Sequence, residues 1–295
     1  QSNMHSPALP GDNAASCALD ISLKPDMLRQ RLLTAALLAP LLLLAIITLP
    51  TVWLAALLGL ITLAGAWEIS KNAQISMQLH RNIALALLAL MMAAGFFTQD
   101  FDELYRLYGL VTVFWGIATL ALIRRQRPLL QVIGQRWGAL LIGSTFLLAT
   151  WLAVVQIHQT AGVDWLISLL LLIWAVDVGA YLAGRLWAKR KLAPEVSPGK
   201  TWEGTYGAMV AAWLWAIGAT WWHSVPLFVT VPLSLIITWL SIGGDLGESL
   251  LKRQAQVKDS GNLLPGQGGI LDRIDSLLAA APAFALALHL IGQMP

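Results

Sequence analysis

Apolar runs close to twenty residues long recur nine times along this chain, separated by short polar connections. They fall at roughly 31–50, 51–68, 82–98, 107–123, 138–157, 164–184, 205–222, 226–243 and 276–293. About 20 apolar residues in a helix cross the hydrocarbon core of a bilayer. The pattern therefore predicts an all-α polytopic membrane protein of about nine transmembrane helices. Pro50 and Thr51 divide the first two runs, because proline cannot continue helical hydrogen bonding and disfavours helix in the residue before it.

The positive charges fall in alternate connections. Lys24 and Arg29 precede the first run and Arg31 stands at its start; Lys71 and Arg81 follow the second; Arg124, Arg125, Arg127 and Arg136 follow the fourth. Lys189, Arg190, Lys191 and Lys200 follow the sixth, and Lys252, Arg253 and Lys258 the eighth. The intervening connections, "LPTV", "TQDFDELYRLY", "HQTAGVD" and "HSVP", are nearly free of Lys and Arg. Lys and Arg mark cytoplasmic loops, so the N-terminus is expected in the cytoplasm and the C-terminus outside. Composition agrees, with 57% hydrophobic and only 12% charged residues, where soluble domains carry about a quarter charged. A net charge of +3 scattered through loops speaks against nucleic acid as a partner. The single cysteine, Cys17, excludes an intrachain disulfide and argues against a thiolate metal site. Residues 1–26 read as a disordered lead-in, and its "QSNM" start reads as a protease-cleavage scar. Residues 27–160 form an N-terminal transmembrane region that is chemically plain. Residues 161–295 form a C-terminal transmembrane catalytic region with nearly all the notable charges on the cytoplasmic side, where nucleotides are.

Four clusters carry those charges. Asp177, in "LLLIWAVDVGAYLAGRLW", lies inside a span, where a carboxylate costs roughly 2.5–3.5 kcal/mol and normally faces a cavity or a partner. Asp177, Ala180, Tyr181 and Gly184 share one helical face; the plain alternative is a structural bond between helices. "SPGKTWEG" contains Gly199-Lys200-Thr201 but is no P-loop, because Pro194 stands where the first glycine belongs and no strand is expected before it. What remains is Lys200 with Ser197 and Thr201 on a tight turn entering a helix N-terminus, which favours anions. Thr201 as a helix cap and Lys200 as an interfacial anchor is the plain alternative. In "GGDLGESLLKR", Asp245, Ser249 and Lys252 lie on one face with Glu248 close by and Arg253 next. A solvated helix with a Glu248–Lys252 pair would explain them at a few tenths of a kcal/mol. In "LLPGQGGILDRIDS", Asp272 and Asp275 are three apart and point the same way on a helix, as metal ligands or as caps. All four aspartates sit at cytoplasmic depth, with Arg185, Lys200, Lys252 and Arg273 around them. Carboxylates hold hard cations such as Mg²⁺, which often bridge substrate phosphates.

Together the motifs resemble those of the phosphatidate cytidylyltransferases, or CDP-diacylglycerol synthases, of the bacterial type. That family's signature, S-x-x-K-R-x4-K-D-x-G-x3-P-G-H-G-G-x-x-D-R-x-D, is met here by Ser249, Lys252, Arg253, Lys258, Asp259, Gly261 and "PGQGGILDRID". "DVGAYLAGR" and "SPGKTWEG" match its upstream motifs, and the likeness runs from about residue 27. The resemblance implies transfer of a cytidylyl group from CTP to phosphatidic acid with release of pyrophosphate, in a multi-pass protein of the bacterial inner membrane. A homodimer is compatible with it. It implies that Asp245, Asp272 and Asp275 bind Mg²⁺, with room for a second cation, and that Lys200 belongs to the catalytic set. Substrate contacts would come from Asp177, Tyr181, Arg185, Ser197, Thr201, Glu248, Ser249, Lys252, Arg253, Lys258, Asp259, Gln267 and Arg273.

One position departs: the family histidine is Gln267. An obligatory proton carrier would be lost there. A phosphate monoester is already ionised near neutral pH, however, and a glutamine amide can still donate to a phosphate oxygen. Activity is therefore expected. The competing readings are a CTP-dependent transferase or kinase acting on another lipid, and a non-catalytic or transport protein with Asp177 as relay. A transporter often shows paired broken helices or inverted repeats, and the sequence shows neither.

Overall fold

The computed structural model describes residues 25–75, 77–97, 101–124, 136–257, 259–261, 263 and 268–295. Most of the lead-in, together with Lys258 and Gln267, lies outside the described residues. Among these residues the chain forms α1 (Pro25–Thr48), α2 (Thr51–Asn72), α3 (Gln78–Phe97), α4 (Phe101–Ile123) and α5 (Arg136–Gln156). A π-helical turn, Ile157–Ala161, leads into α6 (Val163–Trp187). The strands β1 (Lys191–Ala193) and β2 (Ser197–Thr201) follow, then α7 (Trp202–His223), α8 (Leu227–Gln254) and α9 (Leu271–Leu290).

Each predicted span thus has a helix. Among the described residues, seven helices are long and apolar enough to cross a membrane. In α1 the continuously described side chains are the apolar stretch Ala36–Thr48, and α7 carries tryptophan, glycine and threonine among its apolar residues. Pro50 and Pro226, in extended conformation, set the starts of α2 and α8. Two helices run beyond their apolar limits. Helix α8 continues to Gln254, so the acidic cluster extends the transmembrane rod and does not follow it. Helix α9 begins at Leu271, which puts Asp272 and Asp275 inside its first turns.

The fold is that of an all-α polytopic membrane protein, with one small addition: residues 191–201 form an antiparallel hairpin with Lys191 opposite Thr201 and Ala193 opposite Ser197. A short strand therefore does precede Lys200. The hairpin forms because Leu192, Ala193 and Val196 bury themselves beneath it. Its turn closes through Val196 N to Ala193 O at 3.1 Å, and Trp202 N donates to Arg190 O at 3.0 Å where α7 starts.

Packing is most extensive between α6 and α7, which cross at Gly179 and Gly207; a Cβ on either would collide with the backbone of the other. Close approach through small residues is how helices associate without a hydrophobic driving force between them. Helix α8 packs against α7, α9 and α4, while α5 lies on α2 and α9. Leu169, Leu172, Leu246 and Phe284 are fully buried at the centre. Helix α3 lies at the edge and exposes Leu87, Leu90, Met91 and Phe97, as a helix bordered by lipid does.

Candidate active site

The face of α6 foreseen from helical spacing lines a cavity of about 400 Å³: Asp177, Ala180, Tyr181 and Gly184, joined by Arg185. Gly199, Lys200 and Thr201 of the hairpin form another wall, with Ser241, Ile242 and Asp245 of α8. Three separate sequence motifs therefore converge on one space. Lys200 Nζ ion-pairs with Asp245 Oδ2 across it. At the mouth, Arg185 Nη1 donates to the Tyr181 hydroxyl at 2.7 Å, and Tyr181 is 60% exposed. Thr201 does act as a cap, its hydroxyl accepting from Gly204 N at 3.1 Å.

A second set of charges lies behind Asp245. The Asp275 carboxylate faces that of Asp245 within hydrogen-bonding reach. Gly244 allows this approach, since a Cβ there would run into the Asp275 carbonyl. Lys252 Nζ bridges Glu248 Oε2 at 2.6 Å and Asp272 Oδ1 at 2.8 Å. Asp272 Oδ2 accepts from Gly269 N at 2.7 Å and from Ser260 N and Oγ, each at 3.0 Å. Asp272 is thus no ordinary N-cap. The cap position belongs to Ile270, which offers no side-chain acceptor, and Asp272 reaches back to hold the preceding loop.

Do these residues fit a cation? No group of three or more His, Cys, Asp or Glu is arranged as a ready cage among the described residues. The Asp245–Asp275 pair nevertheless fits, because two carboxylates in contact require a proton or a cation between them. Glu248 Oε1 is buried with no hydrogen-bond partner. Oxygen-only donors suit a hard cation such as Mg²⁺. Asp272 fits less well, since Oδ2 is saturated by the loop and only Oδ1, now on Lys252, is less committed.

Among the described residues, the other predicted ones do not line the cavity. Arg253 Nε donates to Val196 O at 3.3 Å and so ties the hairpin turn to α8. Ser197 pairs within the hairpin, Ser249 is half-buried on α8, and Asp259 and Arg273 are exposed. The sequence reading missed Glu68 of α2, whose Oε1 accepts from Ile270 N at 3.0 Å and Oε2 from Leu271 N at 2.9 Å. A lone acid in "AWEISKN" within the plain region was the available signal.

Glu203, in the first turn of α7, anchors the hairpin from its other side. Its Oε2 accepts from Lys189 N and Arg190 N, each at 3.1 Å. These backbone donors hold its carboxyl down to about 2 from an ordinary 4.5. A folded value below the unfolded one contributes stability above pH 4.5, which is lost as pH falls towards 2. Glu203→Gln should therefore melt slightly below the native protein at pH 7, and melting curves of the two should converge near pH 2. The sign is the test; a gap that widens with acid contradicts it.

The chain matches a family described as the Cytidylyltransferase family over residues 29–291. It is 39% identical over 270 residues to a phosphatidate cytidylyltransferase of Pseudomonas aeruginosa, covering 90% of this chain and 98% of that one. A protein of the same name from Haemophilus influenzae is 34% identical over 289 residues, covering 88% and 98%. One from Bacillus subtilis is 46% identical over 132 residues, covering 43% and 49%.

Proposed function

This chain belongs to the cytidylyltransferase family, and from that premise we propose that it converts CTP and phosphatidic acid to CDP-diacylglycerol and pyrophosphate. The observation that carries the reading is the single cavity in which Asp177, Arg185, Lys200 and Asp245 meet from three motifs. A phosphate oxygen of phosphatidic acid attacks the α-phosphorus of CTP; the new P–O bond forms as the α–β bridging P–O bond breaks, and pyrophosphate leaves. The nucleophile is ionised near neutral pH, so positioning and charge neutralisation carry the catalysis. Lys200 and Arg185 meet the triphosphate from opposite walls, with Lys252 behind. Asp245 and Asp275 would hold Mg²⁺, with Asp272 contributing through Oδ1; a second cation is part of the same reading. A cation held there would supply charge neutralisation for the reacting phosphates. The exposed Tyr181 at the mouth, its hydroxyl held by Arg185, suits a lipid phosphate arriving from the bilayer side. Purified protein given CTP, phosphatidate and Mg²⁺ should release one pyrophosphate per CDP-diacylglycerol formed, and chelation should stop it. Absence of both products would overturn the reading; product only with another lipid acceptor would move the enzyme to a different substrate.

The layout proposed with it has nine spans in a bacterial inner membrane, the N-terminus inside and the C-terminus outside, with the chemistry in residues 161–295. A homodimer, readable by light scattering, belongs to the same proposal. The alternation of Lys and Arg supports the orientation. Single cysteines introduced at residues 189–191 and after residue 290 should be labelled from opposite sides of the membrane, the former from the cytoplasm. Labelling of both from one side contradicts the layout.

A further inference from the structure

Glu68 is only 2% exposed, and the groups it touches lie 192 to 203 residues away in sequence. A buried carboxylate is costly unless hydrogen bonds replace its hydration. Ile270 N and Leu271 N supply two, at 3.0 and 2.9 Å, and Ser260 Oγ sits 3.2 Å from Oε2. Those amides are among the unsatisfied N–H groups at the start of α9, whose own N-cap residue has no acceptor. Glu68 is thus a helix cap delivered by a different helix, and its negative charge suits the positive end of the α9 dipole.

The surrounding loop is shaped to this carboxylate. A Cβ added at Gly261 or at Gly269 would run into it. One turn further along α2, Asn72 Nδ2 donates to Ser260 O at 3.1 Å, and Ser260 N donates to Asp272 Oδ2 at 3.0 Å. A continuous set of hydrogen bonds therefore runs from α2 to Asp272. Asp275 stands one helical turn further along α9, facing Asp245.

We propose that Glu68 is a positioning residue of the active site: from α2 it fixes the first turn of α9 and thereby sets Asp272 and Asp275 against α8. The inference rests on the cation-binding carboxylate site proposed above, and no part of the chemistry passes through Glu68 itself.

Glu68→Gln keeps the volume but turns one acceptor into a donor, so one α9 amide loses its partner. The folded variant should show turnover lowered at least tenfold, with the KM for CTP within twofold of native. The Mg²⁺ concentration for half-maximal turnover should rise at least fivefold, and Mn²⁺ affinity read by electron paramagnetic resonance should weaken by a similar factor. A role confined to stability would lower turnover through lost folded protein and leave Mg²⁺ half-saturation and Mn²⁺ affinity unchanged; that result overturns the proposal. Should Glu68→Gln not fold, Gly261→Ala, whose Cβ would meet only the Glu68 side chain, decides by the same readouts. Should native protein release no pyrophosphate, the reaction assigned above fails, and Mn²⁺ affinity alone decides the role of Glu68. Equal affinity in native and variant protein then counts against it.

Discussion

Asp275→Asn should lower CTP-dependent turnover by about a thousandfold at saturating Mg²⁺ and leave the protein folded, a size in line with losing an electrostatic element of a buried site. The substitution preserves shape. Asn Oδ1 can still accept from Ser276 N, as Asp275 Oδ1 does at 2.7 Å. Its amide N–H₂ can donate to the Asp245 carboxylate that Asp275 faces. Without Mg²⁺ the native pair needs a shared proton to stay in contact, whereas the Asn amide makes that hydrogen bond with no proton uptake, so stability without Mg²⁺ should equal or exceed that of native protein. The same change removes a negative charge from the pair proposed to hold the cation, and higher Mg²⁺ should not restore the rate. The two effects run in opposite directions, which separates this role from helix capping. A cap residue changed to Asn would retain both its stability and its rate, because asparagine caps about as well as aspartate. Melting curves without Mg²⁺ and turnover with it are the two measurements. Near-native turnover removes Asp275 from the catalytic set.

The chain made some of this legible and hid the rest for identifiable reasons. The cavity face of α6 was readable because helical periodicity is local: Asp177, Ala180, Tyr181 and Gly184 needed only their spacing. The start of α2 was marked by Pro50. The hairpin was not readable, because three- and five-residue strands containing Pro198 and Gly199 carry no hydrophobic alternation. What forms it is burial of Leu192, Ala193 and Val196 beneath the loop. The extents of α8 and α9 were underestimated because hydropathy ends a span where charge begins. Helix α8 nevertheless continues through Asp245, Glu248 and Lys252, whose charges find one another and α9. Glu68 escaped notice for the opposite reason. Nothing near it in sequence needs it, and its partners are on α9 and the loop before it. Gln267, the one departure from the family signature, lies outside the described residues, so its role remains the expectation drawn from amide chemistry.

Lys200→Met should lower kcat/KM for CTP by about a hundredfold to a thousandfold while shifting the melting temperature little. The small structural effect follows from the Lys200–Asp245 ion pair being partly open to solvent, with side chains 24% and 33% exposed. Pairs of that kind contribute about 1 kcal/mol or less. Methionine keeps the unbranched stem that packs in the hairpin and loses only the ammonium group. The large functional effect follows from position: Lys200 is the cation that β2 brings into the cavity opposite Arg185, and there triphosphate charge must be neutralised as pyrophosphate leaves. Lys200→Arg separates charge from shape. It should recover part of the loss, because it restores the positive charge, but not all, because a planar fork cannot stand in for a compact ammonium between a carboxylate and a phosphate. The division between kcat and KM then identifies what Lys200 does. A rise in KM alone means that it binds CTP equally in ground and transition states. A fall in kcat means that its contact strengthens as charge develops on the leaving group. The second result is expected, since the Asp245 carboxylate that grips Lys200 before substrate binds must yield it to the triphosphate. If Lys200→Met keeps kcat/KM within about threefold of native, the cavity holding Asp177, Lys200 and Asp245 is not where CTP reacts.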